Sequence, residues 1–176
     1  HEGMIVIDQH AAHEKIMYMK MMGQFSTKNS AIELQTQLVP HQVEVAPEEK
    51  GVMENLIPPL SRSGFEIEPF GNRTFIVQSI PMIFENLDIG SFIRDLLDDI
   101  GQGDLEGELE RTRQKICARA SCHSAVKSGD YLAPQEQQQL VDELLTTSEL
   151  LRCPHGRPTT LILTREQLDR QFGRLG

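Results

Sequence analysis

No run of apolar residues approaches the roughly eighteen that a membrane-spanning helix needs, and no stretch has the build of a signal peptide. The chain therefore reads as soluble and intracellular. A disulfide framework is missing too: the three cysteines, at 117, 122 and 153, are odd in number and point to reduced thiols in a cytosolic setting. Positive charge is scarce, with 17 Lys and Arg against 26 Asp and Glu, and the net charge of −9 has the wrong sign for a free-standing nucleic-acid binder. No H-E-x-x-H occurs, since His13-Glu14 lacks a histidine at the required place, which argues against a zinc metalloprotease. Internal repeats and low-complexity tracts are absent as well. What remains is 176 residues with 39% hydrophobic residues and 13 glycines, enough for one domain, or one domain with a small insertion, and a core that needs no disulfides.

The stretch that organises the chain is Met4-Ile5-Val6-Ile7-Asp8-Gln9-His10-Ala11-Ala12-His13-Glu14. Four apolar, largely β-branched residues predict a fully buried strand, and helical spacing follows, so Asp8 and His10 fall where strand hands over to helix. Open α/β sheets carry their chemistry at such junctions. His10 and Glu14 are four apart, which on a helix places imidazole and carboxylate on one face, within reach of one divalent cation. The same spacing also describes an ordinary surface pair. A second stretch favours the cation: Cys153-Pro154-His155-Gly156-Arg157-Pro158, followed by strand-like Thr159-Thr160-Leu161-Ile162-Leu163. Pro154 disfavours helix at Cys153, and a Cys-x-His triplet in extended backbone presents thiolate and imidazole to one centre.

At these residues the chain resembles the MutL mismatch-repair family, in its C-terminal domain, over nearly its whole length. Asp8-Gln9-His10-Ala11 with Glu14 resembles the D-Q-H-A-x-x-E endonuclease motif, and Cys153 to Pro158 resembles C-P-H-G-R-P. Ala120-Ser121-Cys122-His123 resembles the shorter third motif, a small residue, Cys and a basic residue on a helix. The first motif normally ends in a second Glu five residues after Glu14, and Met19 stands there instead. The resemblance implies a two-lobed α/β fold (α+β, mixed sheet) and a metal-dependent DNA endonuclease that nicks one strand during mismatch repair. It further implies a homodimer, Mn²⁺ for activity, a structural or regulatory Zn²⁺, and DNA, MutS and the β sliding clamp as partners. ATP would act only through a separate N-terminal ATPase domain, which with a flexible linker would supply much of the grip on DNA. The implied location is cytoplasmic and nucleoid-associated. His1-Glu2-Gly3 opens directly before the first strand, where MutL-like proteins usually carry another, so a piece of a longer protein is expected.

Taken in order, a helix from about Ala11 to Met22 carries Ile16, Met19 and Met22 as an apolar stripe, and Gly23 is expected to end it. Gln35 to Pro40 resembles the family's Q-x-x-[L/I]-x-P clamp motif: Gln35 as anchor, Leu38 as plug, Pro40 keeping the peptide extended. The other reading is a strand edge with Gln35 outward and Leu38 inward. Pro47-Glu48-Glu49 opens a helix with Val52, Leu56 and Leu60 inward, which Pro58-Pro59 should end or kink. Gly64 caps it, and Phe65 to Phe70 with Thr74 to Ile80 form a hairpin around Gly71-Asn72, broken at Pro81. A helix from about Ile89 to Ile100 places Phe92, Leu96 and Ile100 on one side, and Gln102 to Gly107 is a flexible connector. Proline- and glycine-containing joints thus set off 42–107 as an external lobe, with 1–41 and 108–176 as the dimerisation lobe carrying the metal site.

Glu108 to Lys127 reads as a long helix whose Ala118, Ser121, Cys122 and Ala125 form a narrow strip of small residues, with Cys117 in the core and His123 at the surface or facing DNA. Ser128-Gly129-Asp130 turns the chain into a helix from Pro134 that buries Leu140, Val141, Leu144 and Leu145. Thr164 and Gln167 open a last helix with a capping box, Leu168 and Phe172 sharing a face. Asp8, His10, Glu14, Cys122, Cys153 and His155 are then the candidate ligands, a mixture of carboxylate, imidazole and thiolate that favours Zn²⁺ over Mg²⁺ or Ca²⁺. Six suit two ions sharing a carboxylate, with Glu14 as bridge or general base. Asp8, His10, Glu14 and Arg157 are the candidate catalytic residues, Arg157 meeting a phosphate or simply holding its loop. The alternative is a non-catalytic MutL dimerisation module with one structural zinc held by His10, Cys122, Cys153 and His155.

Overall fold

The computed structural model describes residues 3–26, 31–101, 109–127, 129–147 and 152–174. Strands and helices follow in the order β1 (Gly3–Ile7), α1 (Gln9–Ser26), β2 (Leu34–Glu44), α2 (Lys50–Arg62), β3 (Glu66–Pro69), β4 (Thr74–Pro81), α3 (Ile89–Gly101), α4 (Leu109–Ser124), α5 (Pro134–Thr146), β5 (Thr160–Thr164) and α6 (Arg165–Gln171). The class is α+β, as read from the sequence, but in place of a mixed sheet the described strands form two antiparallel sheets, β1-β5 and β2-β4-β3. No described helix is long and apolar enough to cross a membrane. The expected connector at Gln102 to Gly107 lies outside the described residues.

The chain divides into two compact units, His1–Ile16 with Val126–Gly176, and Met17–Ala125. These boundaries differ from 41/42 and 107/108 because β2 is a ladder partner of β4, and because Ile116, Cys117 and Ala120 of α4 belong to the middle unit's core. In that unit β4 buries Phe75, Val77 and Ile80, and Phe65 stacks against Phe84 and Phe92 at 6.2 and 5.2 Å between ring centroids. Each such ring removed from water contributes about 1.5–3 kcal/mol. α3 buries Phe92, Ile93, Leu96, Leu97 and Ile100 on the side its spacing predicts.

Three expectations fail here for local reasons. α2 runs through Pro58 and Pro59, because the carbonyls they leave without N–H partners belong to exposed Glu54 and Asn55, where water can serve them. α1 runs past Gly23 to Ser26, held on this side by buried Met17 and Met21 and by Arg113, whose guanidinium lies 4.7 Å from the centre of the Phe25 ring. The buried methionines of α1 are therefore Met17 and Met21, while Met19 and Met22 are only partly covered. On α4 the buried set is Thr112, Ile116, Cys117, Ala120, Ser121 and Ser124, with Ala118 and Cys122 half-buried, and the helix ends at Ser124. Gly64, at φ +85°, caps α2 as expected; a Cβ there would stand 2.9 Å from Ile32 Cγ2.

The other unit has little core. Ala12, Ile16 and Leu144 are buried, with Ile7 and Leu140 packed against them. Pro134 takes the first position of α5, but Leu145, expected inward, is exposed. Among the described strands β1 pairs only with β5, Ile5 opposite Ile162, and instead of being fully buried these two residues are 62% and 61% exposed. Thr164 and Gln167 form the expected capping box at α6, at 3.2 and 2.8 Å, although Phe172 is exposed.

Candidate metal centre

Asp8 sits where β1 ends, and its N–H donates to the Thr159 carbonyl at 3.0 Å, tying it to the segment that leads into β5. Its carboxylate accepts from the N–H of Ala11 at 3.1 Å, so Asp8 is the N-cap of α1. That role was open to sequence reasoning, because an Asp immediately ahead of a helical pattern is the signature of a helix start.

From this capped start, His10 and Glu14 stand one turn apart, imidazole Nε2 and carboxylate Oε2 separated by 3.8 Å. The His10 Nδ1–H donates to the Val126 carbonyl at 2.8 Å, which leaves the lone pair of the neutral ring on Nε2, the atom on Glu14's side. Glu14 has no exposed surface. One of its oxygens lies 2.5 Å from His155 Nδ1, and the other has no hydrogen-bond partner among the described residues. Leaving a buried carboxylate oxygen unserved costs about 1–3 kcal/mol or more.

Cys153 and His155 reach Glu14 through a tight turn. The Cys153 N–H donates to the Arg157 carbonyl and the Cys153 carbonyl accepts from Gly156, both at 2.9 Å. Gly156 lies at φ +81°, a conformation that favours glycine, and Arg152 donates to its carbonyl at 2.7 Å. Burial pushes the Cys153 thiol above its ordinary pKa; backbone hydrogen bonds at Arg157 and His155 oppose the rise, and the charge of Glu14 adds to it. One ligand atom from each of Glu14, Cys153 and His155 lies within 4.8 Å of the others. Hard carboxylate, borderline imidazole and soft thiol, with an orphaned oxygen among them, suit a divalent cation of zinc's character.

Of the remaining expected residues, Asp8 and His10 line an open cleft of about 510 Å³ together with Gln9, Lys127, Gly129 and Arg157. Cys122 is half-buried on α4, in the other unit. His123, expected at the surface or facing DNA, is half-buried with Nε2 2.9 Å from Asp95 Oδ2, while Arg119 of the same helix holds Asp99 at 2.6 and 2.7 Å. Sequence reasoning assigned nothing to Gln9, although its side-chain amide donates to the carbonyls of Lys127 and Asp130 at 3.3 and 3.1 Å.

The second candidate site is the bulge in β2. Register runs from Thr36 opposite Ser79 to His41 opposite Val77, so Gln37 to Pro40 face Gln78 alone. Leu38 and Val39 are fully or nearly fully exposed, and the side-chain carbonyl of Gln35 is buried without a hydrogen-bond partner among the described residues. The strand-edge reading, with Leu38 inward, is thereby corrected.

The family profile described as the MutL C terminal dimerisation domain matches residues 1–132. The DNA mismatch repair protein MutL of Halothermothrix orenii is 32% identical over 173 residues, covering 98% of this chain and 27% of that protein. MutL of Koribacter versatilis is 33% identical over 174 residues, 99% of this chain and 27% of that protein. MutL of Rhodopseudomonas palustris is 34% identical over 176 residues, 98% and 29%. The chain spans about a quarter of the length of the curated relatives it matches.

Proposed function

Because the chain belongs to the MutL C-terminal dimerisation family, we propose that it serves DNA mismatch repair as a homodimeric, metal-dependent endonuclease domain that nicks one DNA strand. The observation that carries this reading is Glu14, a carboxylate without exposed surface whose second oxygen lacks a hydrogen-bond partner among the described residues, within reach of a thiol and an imidazole. Glu14, Cys153 and His155 would hold a cation, with His10 Nε2 beside them, and their mixed donor set favours Zn²⁺. Mn²⁺ as the activating ion, Asp8 as a further donor and Cys122 as a further thiolate enter on the motif resemblance. A bound divalent ion supplies Lewis acidity and makes coordinated water more acidic.

The residues of the chain do the positioning. The hydrogen bond to Val126 fixes the tautomer of His10, the turn at Gly156 sets Cys153 and His155 side by side, and Arg157, lining the cleft with Asp8, can meet a phosphate bidentately. Homodimerisation is supported by the apolar β1-β5 sheet, which leaves Ile5 and Ile162 exposed on one face and Met4, Val6 and Leu161 on the other, apolar surface of the kind that seeks a partner. Gln35, Leu38 and Pro40, standing in or beside the β2 bulge, fit a segment that plugs a hydrophobic pocket on a sliding clamp. DNA, MutS and ATP, the last through an N-terminal ATPase domain, complete the proposed set of partners.

One feature favours the non-catalytic reading with a structural zinc: Asp8 caps α1, and the ligand group of Glu14, Cys153 and His155 needs no further carboxylate. Nicking of supercoiled plasmid by the full-length protein, assayed with manganese, separates the two readings. Glu14→Gln and Cys153→Ser should each lower the rate at least about 100-fold while the dimer persists. Unimpaired nicking in both variants would rule out the endonuclease assignment.

A further inference from the structure

Among the basic side chains of the unit that holds Glu14, Lys15 is buried, and the others fall into two groups. Arg152, Arg165, Arg170 and Arg174 each hold a carbonyl or a carboxylate of the chain itself. Arg157 and Lys127 both line the cleft beside Asp8 and His10, and no described residue pairs with the charged end of either. In a chain of net charge −9, two cations without a partner among the described residues in one cleft point to an anion from outside.

The backbone that carries Lys127 is also held more firmly than an exposed turn requires. Its N–H donates to Asp130 Oδ2 at 2.7 Å, and its carbonyl accepts from the Asp130 N–H at 3.1 Å and from the Gln9 amide at 3.3 Å. The preceding Val126 donates its N–H to His13 Nδ1 at 3.2 Å and accepts from His10 at 2.8 Å. Gly129 closes the turn at φ +94°. Gln9, His10 and His13, within one turn of α1, thus brace the segment that presents the lysine, which is how a contact is pre-organised before its ligand arrives. The carboxylate in the same cleft, Asp8, is bound to the Ala11 N–H, where the helix N-terminus offsets its charge.

Resting on the reading of this site as phosphodiester-cleaving, we propose that Lys127 is a second phosphate-contacting residue beside Arg157, with Gln9 and His13 as its positioning residues, so that the cleft seats the backbone of a DNA strand. Lys127 supplies a compact point charge and Arg157 a planar fork. Neither reads sequence.

The test is the salt dependence of duplex-DNA binding by the full-length protein, followed by fluorescence anisotropy, with zinc content measured on the same samples. The slope of log K against log salt should become shallower by about 0.9 in Lys127→Ala and again in Arg157→Ala, with affinity down about tenfold for each. Lys127→Arg should keep the wild-type slope. Gln9→Glu, which keeps the shape but cannot donate, should shift the slope toward that of Lys127→Ala while the protein stays folded by its melting curve. Lys50→Ala, which loses only a pair with Glu54, serves as the control. A Lys127→Ala slope equal to wild type, or no wild-type binding at the lowest salt, overturns the proposal. Zinc retained with an unchanged slope would overturn the role of Lys127 alone, whereas a shallower slope in protein that binds no zinc would overturn the cation reading and leave Lys127 standing.

Discussion

The two units handle their apolar residues in opposite ways. Met17–Ala125 buries Phe65, Phe75, Phe84 and Phe92 in a continuous core, while among its described residues the unit made from the two chain ends has a small apolar cluster of Ala12, Ile16 and Leu144 and leaves both strands of its sheet exposed. Yet the second unit encloses Glu14, a group that is expensive to bury without a partner. The difference teaches that one unit packs its own apolar residues, and that the other, under the proposed function, would be finished by what it binds: a cation at Glu14 and a second apolar surface over β1-β5.

Damage to the self-sufficient core should have the largest effect. Phe92→Ala should destabilise the middle unit by about 3–5 kcal/mol in urea unfolding, since it removes the ring stacked on Phe65; a loss below about 1 kcal/mol would mean the core is looser than its packing implies. Next, Ile5→Asp should raise the dimer dissociation constant about 100-fold in analytical ultracentrifugation without lowering the stability of the protomer. A dimer of undiminished affinity would place the interface elsewhere. Chelation should then speed amide exchange about tenfold around 9–14 and 152–158 and leave 92–100 protected. Uniform loss of protection would show that the two units do not differ in this way.

The smallest effect concerns Cys117, whose thiol burial pushes up to about 12, with Glu110 adding to the rise and Arg113 opposing it. A thiol with a raised pKa holds its proton more tightly in the folded state, so its contribution is intact below the unfolded value near 9 and fades as pH climbs toward 12. About 1 kcal/mol should be lost by roughly pH 9.5 in denaturant titrations. Cys117→Ala should remove that loss, and an identical pH profile in the variant would contradict the burial argument.

What could be read in the sequence follows the same division. In the middle unit, α3, the cap at Gly64 and the hairpin at Gly71 were legible because period and glycine placement are local signals that the packing then reinforces. The hydrophobicity of β1 was legible but misleading, since apolar residues announce that something covers them without saying which chain supplies the cover. Pro58-Pro59 misled because a proline rule omits whether the freed carbonyls face water. At the candidate site, Cys153 to His155, expected in extended backbone, lie in a turn closed by the Gly156 N–H on the Cys153 carbonyl, whereas the His10–Glu14 face followed from spacing alone. The capping by Asp8 and the bracing by Gln9 and His13 did not: the first was hidden behind a more eventful role for the same carboxylate, and the others depend on a partner more than 110 positions away.

The bulge in β2 has an evolutionary consequence. Gln37 to Pro40 stand outside the ladder, pinned by regular pairing before and after, so changing them removes no hydrogen bond between strands and opens no void inside. Selection can therefore rewrite those four letters to suit a new docking surface, generation by generation, while the chemistry encoded at the chain's two ends is left undisturbed.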